Sequence, residues 1–91
     1  MTMRVGTFLF GGVEMDDAGG GPPASTDRRY DNDAVWQATE RLVDAGVTAE
    51  RLGYDSYWLT EHHFQHEGYE VVPNGLMLGA VIAERTERIR L

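Results

Sequence analysis

Three adjacent residues, Glu61-His62-His63, concentrate the titratable chemistry of this sequence, and His66 and Glu67 follow close behind. An imidazole with an unperturbed pKa of about 6.5 takes up and releases protons near neutral pH. A carboxylate beside it, such as Glu61, would orient the ring. The first chemistry the pattern supports is therefore proton exchange at a binding site. The second is a metal centre built from Glu61, His62, His63, His66 and Glu67. The spacing argues against that one. His62 and His66 share a face only on a helix. The order is not the His-Glu-x-x-His of zinc enzymes, and strand ends seldom place adjacent histidines on one ion. No metal is expected. A third reading is structural: an exposed histidine cluster following a buried strand.

What precedes the trio decides where it sits. Ser56 to Thr60 is a short aromatic and aliphatic run of strand length. It follows a helical pattern that stops at Gly53, a residue suited to the left-handed conformation that ends helices. A helix feeding an apolar strand through a short link is an αβ unit, with the strand parallel to its neighbours. Groups at the C-terminal end of such a strand lie where α/β folds keep their chemistry.

The remaining elements fall into place around this unit. Arg4 to Phe10 reads as a first strand, apolar enough toward its end to be buried on both faces. Gly6 suits close approach by a neighbour or a bend. Gly11 to Tyr30 is a loop rich in Gly, Pro and acidic residues, without the spacing of a phosphate-binding motif. Slack is expected over Gly11 to Arg29. Helix one spans Asp33 to Leu52, capped by Asp31 or Asn32, with its stripe at Val35, Ala38, Leu42, Ala45, Ala49 and Leu52. Gly46 in its interior marks a close contact or a kink. Trp36 reads as packing. Phe64 to Val72 is irregular. Asn74 caps helix two, Gly75 to about Arg85, which is apolar nearly all round and so expected to be well buried. Ile89-Arg90-Leu91 begins a third strand. The order is β-α-β-α-β, which suits the start of a barrel or a small flavodoxin-like sheet.

Composition narrows the function classes. A net charge of −7 argues against a basic nucleic-acid surface. All eight cationic residues are Arg, a coding bias rather than a chemical signal. Cysteine is absent, which removes disulfide scaffolds and thiolate metal sites. No apolar run approaches membrane-spanning length, and Met1-Thr2-Met3-Arg4 carries no apolar signal region. A cytoplasmic protein without membrane or nucleic-acid partners is expected.

The run Gly53-Tyr54-Asp55-Ser56-Tyr57-Trp58-Leu59-Thr60-Glu61-His62-His63-Phe64 resembles the second strand of the bacterial luciferase-like flavin monooxygenases. Those typically show Gly-Phe-Asp-x-x-Trp-x-x-Glu-His-His-Phe there. The resemblance extends from Arg4-Val5-Gly6 to Arg85-Thr86-Glu87-Arg88-Ile89-Arg90-Leu91, and Glu-His-His-Phe is its most specific part. The loop before helix one is longer than is common in the family. The resemblance implies that residues 1–91 are the N-terminal part of a (β/α)8 TIM barrel, incomplete and ending at the start of strand three. It implies a flavin-dependent oxidoreductase, a monooxygenase using reduced flavin (FMN) and oxygen on a small organic substrate. His62 matches the catalytic histidine, Glu61 a residue near the flavin ring, and His63 a second, less critical histidine on the cofactor side. Related members use 5-deazaflavin for hydride transfer instead. A truncated, non-catalytic remnant is the rival from another class. A flavin reductase acting in trans and a homodimer of the complete protein are further implications. A barrel needs eight strands and about 250 residues, so these 91 residues alone are expected to be inactive.

Overall fold

Each element of the fold is bounded by a local signal that the backbone then obeys. The computed structural model describes residues 2–14, 30–63 and 70–91. Its elements run β1 (Gly6–Phe8), α1 (Asn32–Arg51), β2 (Ser56–Trp58) and α2 (Gly75–Glu84). Helix α1 starts because the Asp31 carboxylate accepts a hydrogen bond from the Ala34 amide at 2.8 Å, satisfying one of the four amides a helix start leaves without partners. It stops at Gly53, whose φ of 86° is left-handed. There the Gly53 amide donates to the Glu50 carbonyl and the Tyr54 amide to the Ala49 carbonyl, the paired bonds of a Schellman end. Helix α2 repeats the opening device, with Asn74 accepting from the Met77 amide at 3.0 Å.

The two strands pair in parallel, Gly6 with Ser56, Thr7 with Tyr57 and Phe8 with Trp58. Both are shorter than the sequence suggests, because a strand extends only as far as a partner answers its backbone. The expected third strand is present as a single parallel bridge between Arg90 and Ser56. Ser56 therefore has β1 on one edge and residue 90 on the other. The order is sequential, 1-2-3, which departs from the 2-1-3 order of flavodoxin-like sheets. The Glu50 carboxylate secures this entry by accepting from the amides of Glu87, Arg88 and Ile89 at 2.6–3.2 Å. The amide bonds of Arg88 and Ile89 lead in holding its carboxyl below the usual range.

Strand alternation divides the sheet into two unlike faces. Tyr57, 2% exposed, points to the helices and packs with Leu42, Val43, Ala49, Val72, Leu78 and Ile82. Its phenol donates to the Leu42 carbonyl at 3.1 Å. Gly46 is a close contact: a Cβ there would lie 2.9 Å from Ile82 Cγ2 and 3.1 Å from the Tyr57 ring. Only a glycine lets α1 settle this near the sheet and α2. The opposite face carries Gly6, Phe8, Ser56 and Trp58, and leaves Phe8 55% and Trp58 66% exposed. A Cβ at Gly6 would collide with Ser56 and Trp58, so Gly6 admits the indole across the sheet.

Four burial expectations are corrected. The first strand, read as buried on both faces, is largely exposed, with Phe10 53% exposed just past its end, because the face opposite the helices has nothing packed on it. Leu52 is not part of the α1 stripe but 69% exposed, and Val43 and Gly46 are buried instead. The helix has turned toward the narrow sheet, and Leu52 has become the residue beside its left-handed end. Helix α2 buries only Leu78 and Ile82 fully, while Leu76 and Met77 face outward. A sheet of two strands and one bridge offers too little surface to cover the rest. Trp36, read as packing, is 63% exposed.

Candidate active site

Parallel pairing places the exits of β1 and β2 side by side. Glu61 follows the end of β2 by three residues, and Phe10 and Gly11 lie just past β1. The segment 70–72 fits between these exits. Gly12 and Glu70 form an antiparallel bridge, the Val71 amide donates to the Gly11 carbonyl at 2.7 Å, and the His62 amide donates to the Val72 carbonyl at 2.9 Å. The start of the glycine-rich loop is thus anchored rather than slack. Gly11 is buried, and a Cβ on it would collide with Val72 and come within 2.8 Å of Leu42 Cδ1. The Arg41 guanidinium donates to the Gly12 carbonyl at 3.2 Å, tying this corner to α1. Residues 15–29, the bulk of the loop expected to be slack, lie outside the described residues, as do His66 and Glu67.

The two histidines pair with different carboxylates. His62 Nδ1 lies 2.6 Å from Glu70 Oε2, and the Phe10 ring stands 6.3 Å from the imidazole, centre to centre. His63 Nε2 lies 2.9 Å from Glu61 Oε1. Glu61 is doubly engaged, because Oε2 also accepts from the Gly75 amide at 2.8 Å. That amide belongs to the first turn of α2, where the helix dipole favours an anion. The His63 hydrogen bond, then the Gly75 amide, hold the Glu61 carboxyl below the usual range. No three acidic or histidine groups among the described residues converge on one point as a metal site would require.

The sequence sets Glu61, His62 and His63 directly after β2, where the structure also has them, and does not single out Glu70. That residue lies in a stretch read as irregular, eight positions from its partner. The only signal was an acidic residue directly before the apolar pair Val71-Val72. Glu61 lines an open cavity of about 560 Å³ with Trp58, Leu59, Gly75 and Leu76. Beside it, the Thr60 hydroxyl is buried with no hydrogen-bond partner among the described residues. A buried polar atom without a partner is costly, and a bound molecule offering a polar edge would relieve it. The arrangement is capable of proton exchange through His62, with aromatic surfaces nearby.

Limonene 1,2-monooxygenase of Rhodococcus erythropolis is 38% identical over 63 residues, which is 69% of this chain and 16% of that protein. The chain thus spans a small fraction of its relative's length. No solved structure matches. The family profile described as luciferase-like monooxygenase matches residues 3–91, nearly the whole sequence, and the chain therefore belongs to the luciferase-like monooxygenase family.

Proposed function

We propose that this chain forms the first two βα units of a (β/α)8 barrel in a flavin-dependent monooxygenase, and that the Glu61-His62-His63 turn is part of its active site. The observation that carries the reading is the position of the trio at the C-terminal end of β2 in a chain of this family. In parallel α/β folds the strand ends on that side hold the reacting groups. The sequential 1-2-3 order is the one a barrel requires.

The residues present suit a flavin. Its ring system is flat and apolar on its faces and polar along one edge. Phe8, Phe10 and Trp58 offer exposed aromatic surface, and the Thr60 hydroxyl seeks a polar partner. When bound, reduced flavin would supply the electrons with which oxygen is activated. His62 exchanges a proton at its ring nitrogen, and Glu61 and His63 line the cofactor side, with Glu61 held in place by the α2 amide. The substrate is a small organic molecule, limonene being the example from the relative. We further place the whole protein in the cytoplasm, as a homodimer supplied with reduced FMN by a separate reductase. Among the described residues no helix is long and apolar enough to cross a membrane.

The test is to titrate the intact protein with reduced FMN and then admit oxygen and candidate terpenes. Saturable flavin binding with substrate-dependent oxygen uptake is expected. Hydride transfer with deazaflavin and no oxygen uptake would contradict the monooxygenase reading, and binding of neither cofactor by the folded protein would contradict both.

A further inference from the structure

We infer that Glu70 is a positioning residue for His62, setting which ring nitrogen carries the proton. The inference deepens the proposed function and rests on its reading of His62 as the proton-exchanging group. Glu70 Oε2 lies 2.6 Å from His62 Nδ1, an ion-pair contact so short that Nδ1 must carry a proton to avoid setting two lone pairs against each other. The Glu70 side chain is only 9% exposed. A carboxylate is costly to bury without a partner that answers it, and His62 answers it here. Glu61 does not serve this purpose, because its two oxygens engage His63 and the Gly75 amide.

The pair is built by distant segments. The Gly12–Glu70 bridge sets the backbone of Glu70. The His62 amide bond to Val72 sets the backbone of His62 against the same segment. Gly11 lets Val72 come close, and Arg41 holds Gly12. Four segments therefore agree on one side-chain contact. Its chemical consequence follows from the imidazole inventory. A carboxylate accepts from Nδ1–H, so the neutral ring carries its proton on Nδ1 and presents Nε2 as the acceptor. A partner of this kind selects tautomer and ring angle; where the histidine is a metal ligand, losing such a partner costs about 10- to 100-fold.

The experiment uses the intact protein with isotope-labelled histidine, and reads the ring nitrogen signals of His62 in the wild type, Glu70→Ala and Glu70→Gln. Turnover with reduced FMN is measured in parallel. The wild-type ring is expected to be protonated on Nδ1 when neutral, and Glu70→Ala to shift the ring toward the Nε2-protonated form. Glu70→Gln keeps the side-chain shape and should lower kcat about tenfold or more, with flavin affinity unchanged. A folded Glu70→Ala protein that retains the wild-type tautomer overturns the inference. Should that variant not fold, a Glu70→Gln protein with unchanged kcat overturns it. Failure of the underlying reading looks different: His62→Ala would then leave turnover intact, whatever the tautomer does.

Discussion

Two histidine–carboxylate pairs stand next to each other in this chain and are built in opposite ways. His62–Glu70 is largely sheltered, at 30% and 9% side-chain exposure, and joins segments brought together only by folding. His63–Glu61 is open to solvent, at 51% and 47%, and joins residues two apart in sequence. The contact chemistry is the same, yet the physical weight differs. An exposed pair is screened by water and contributes little to stability. A sheltered pair is felt more strongly and is held by the surrounding backbone. Under the proposed function these two pairs divide the labour: His62 is the proton-exchanging ring, and His63 pairs with Glu61 at the start of α2.

That contrast is broken most directly by removing each ring. His62→Ala should lower flavin-dependent turnover by roughly 10²–10⁴-fold, the usual range for a lost proton-transfer group, with flavin binding little changed. His63→Ala should fall well short of that loss. Steady-state kinetics alongside flavin titration decides it, and equal losses from the two variants would erase the distinction.

A second variant acts on one pair alone. Gly11→Val forces side-chain atoms into Val72 and Leu42. Overpacking of this kind costs about 1–3 kcal/mol. The expected result in thermal denaturation is a lowered Tm. In histidine spectra the His62 signals should move while those of His63 stay.

The platform beneath both pairs gives a control. Burial pushes the Tyr57 phenol up from 10.0 to about 12. The unfolded chain then loses its proton first, so folding stability falls as pH rises from 10 toward 12. Tyr57→Phe should remove this alkaline slope. It should also cost about 0.5–1.5 kcal/mol through the lost bond to the Leu42 carbonyl, and disturb neither pair selectively.

The smallest effect belongs to the exposed pair. The Glu61 carboxyl is held below its ordinary value of 4.5 by His63 and the Gly75 amide. Such a carboxylate stabilises the fold above its unfolded pKa, and that contribution disappears as pH falls through the lower folded pKa. Glu61→Gln should therefore lower stability slightly at neutral pH, where the contribution is present, and flatten the acid side so that variant and wild type converge as pH falls below about 4.5. Urea denaturation at a series of pH values reads this directly.

Local devices were legible in the sequence, and long-range ones were not. Gly53, Asp31 and Asn74 announce helix ends because a cap or a left-handed residue acts within a few positions. The start of β2 and the trio after it were legible for the same reason. Glu70 was not, because its role depends on Gly12 lying opposite it across a bridge, which no periodicity reports. Burial of Leu52 and of α2 was misjudged for a related reason. An apolar stripe states what a helix is able to bury, and the width of the neighbouring sheet decides what it does bury. The bare face bearing Phe8 and Trp58 follows from that same width.

The central claim is that the turn after β2 meets the flavin. It is tested by adding reduced FMN, without oxygen, to the intact protein while following the ring signals of His62 and His63. The account predicts that both sets move along one saturation curve, in step with flavin binding. Ring signals that hold their unliganded positions while flavin saturates the protein would contradict it.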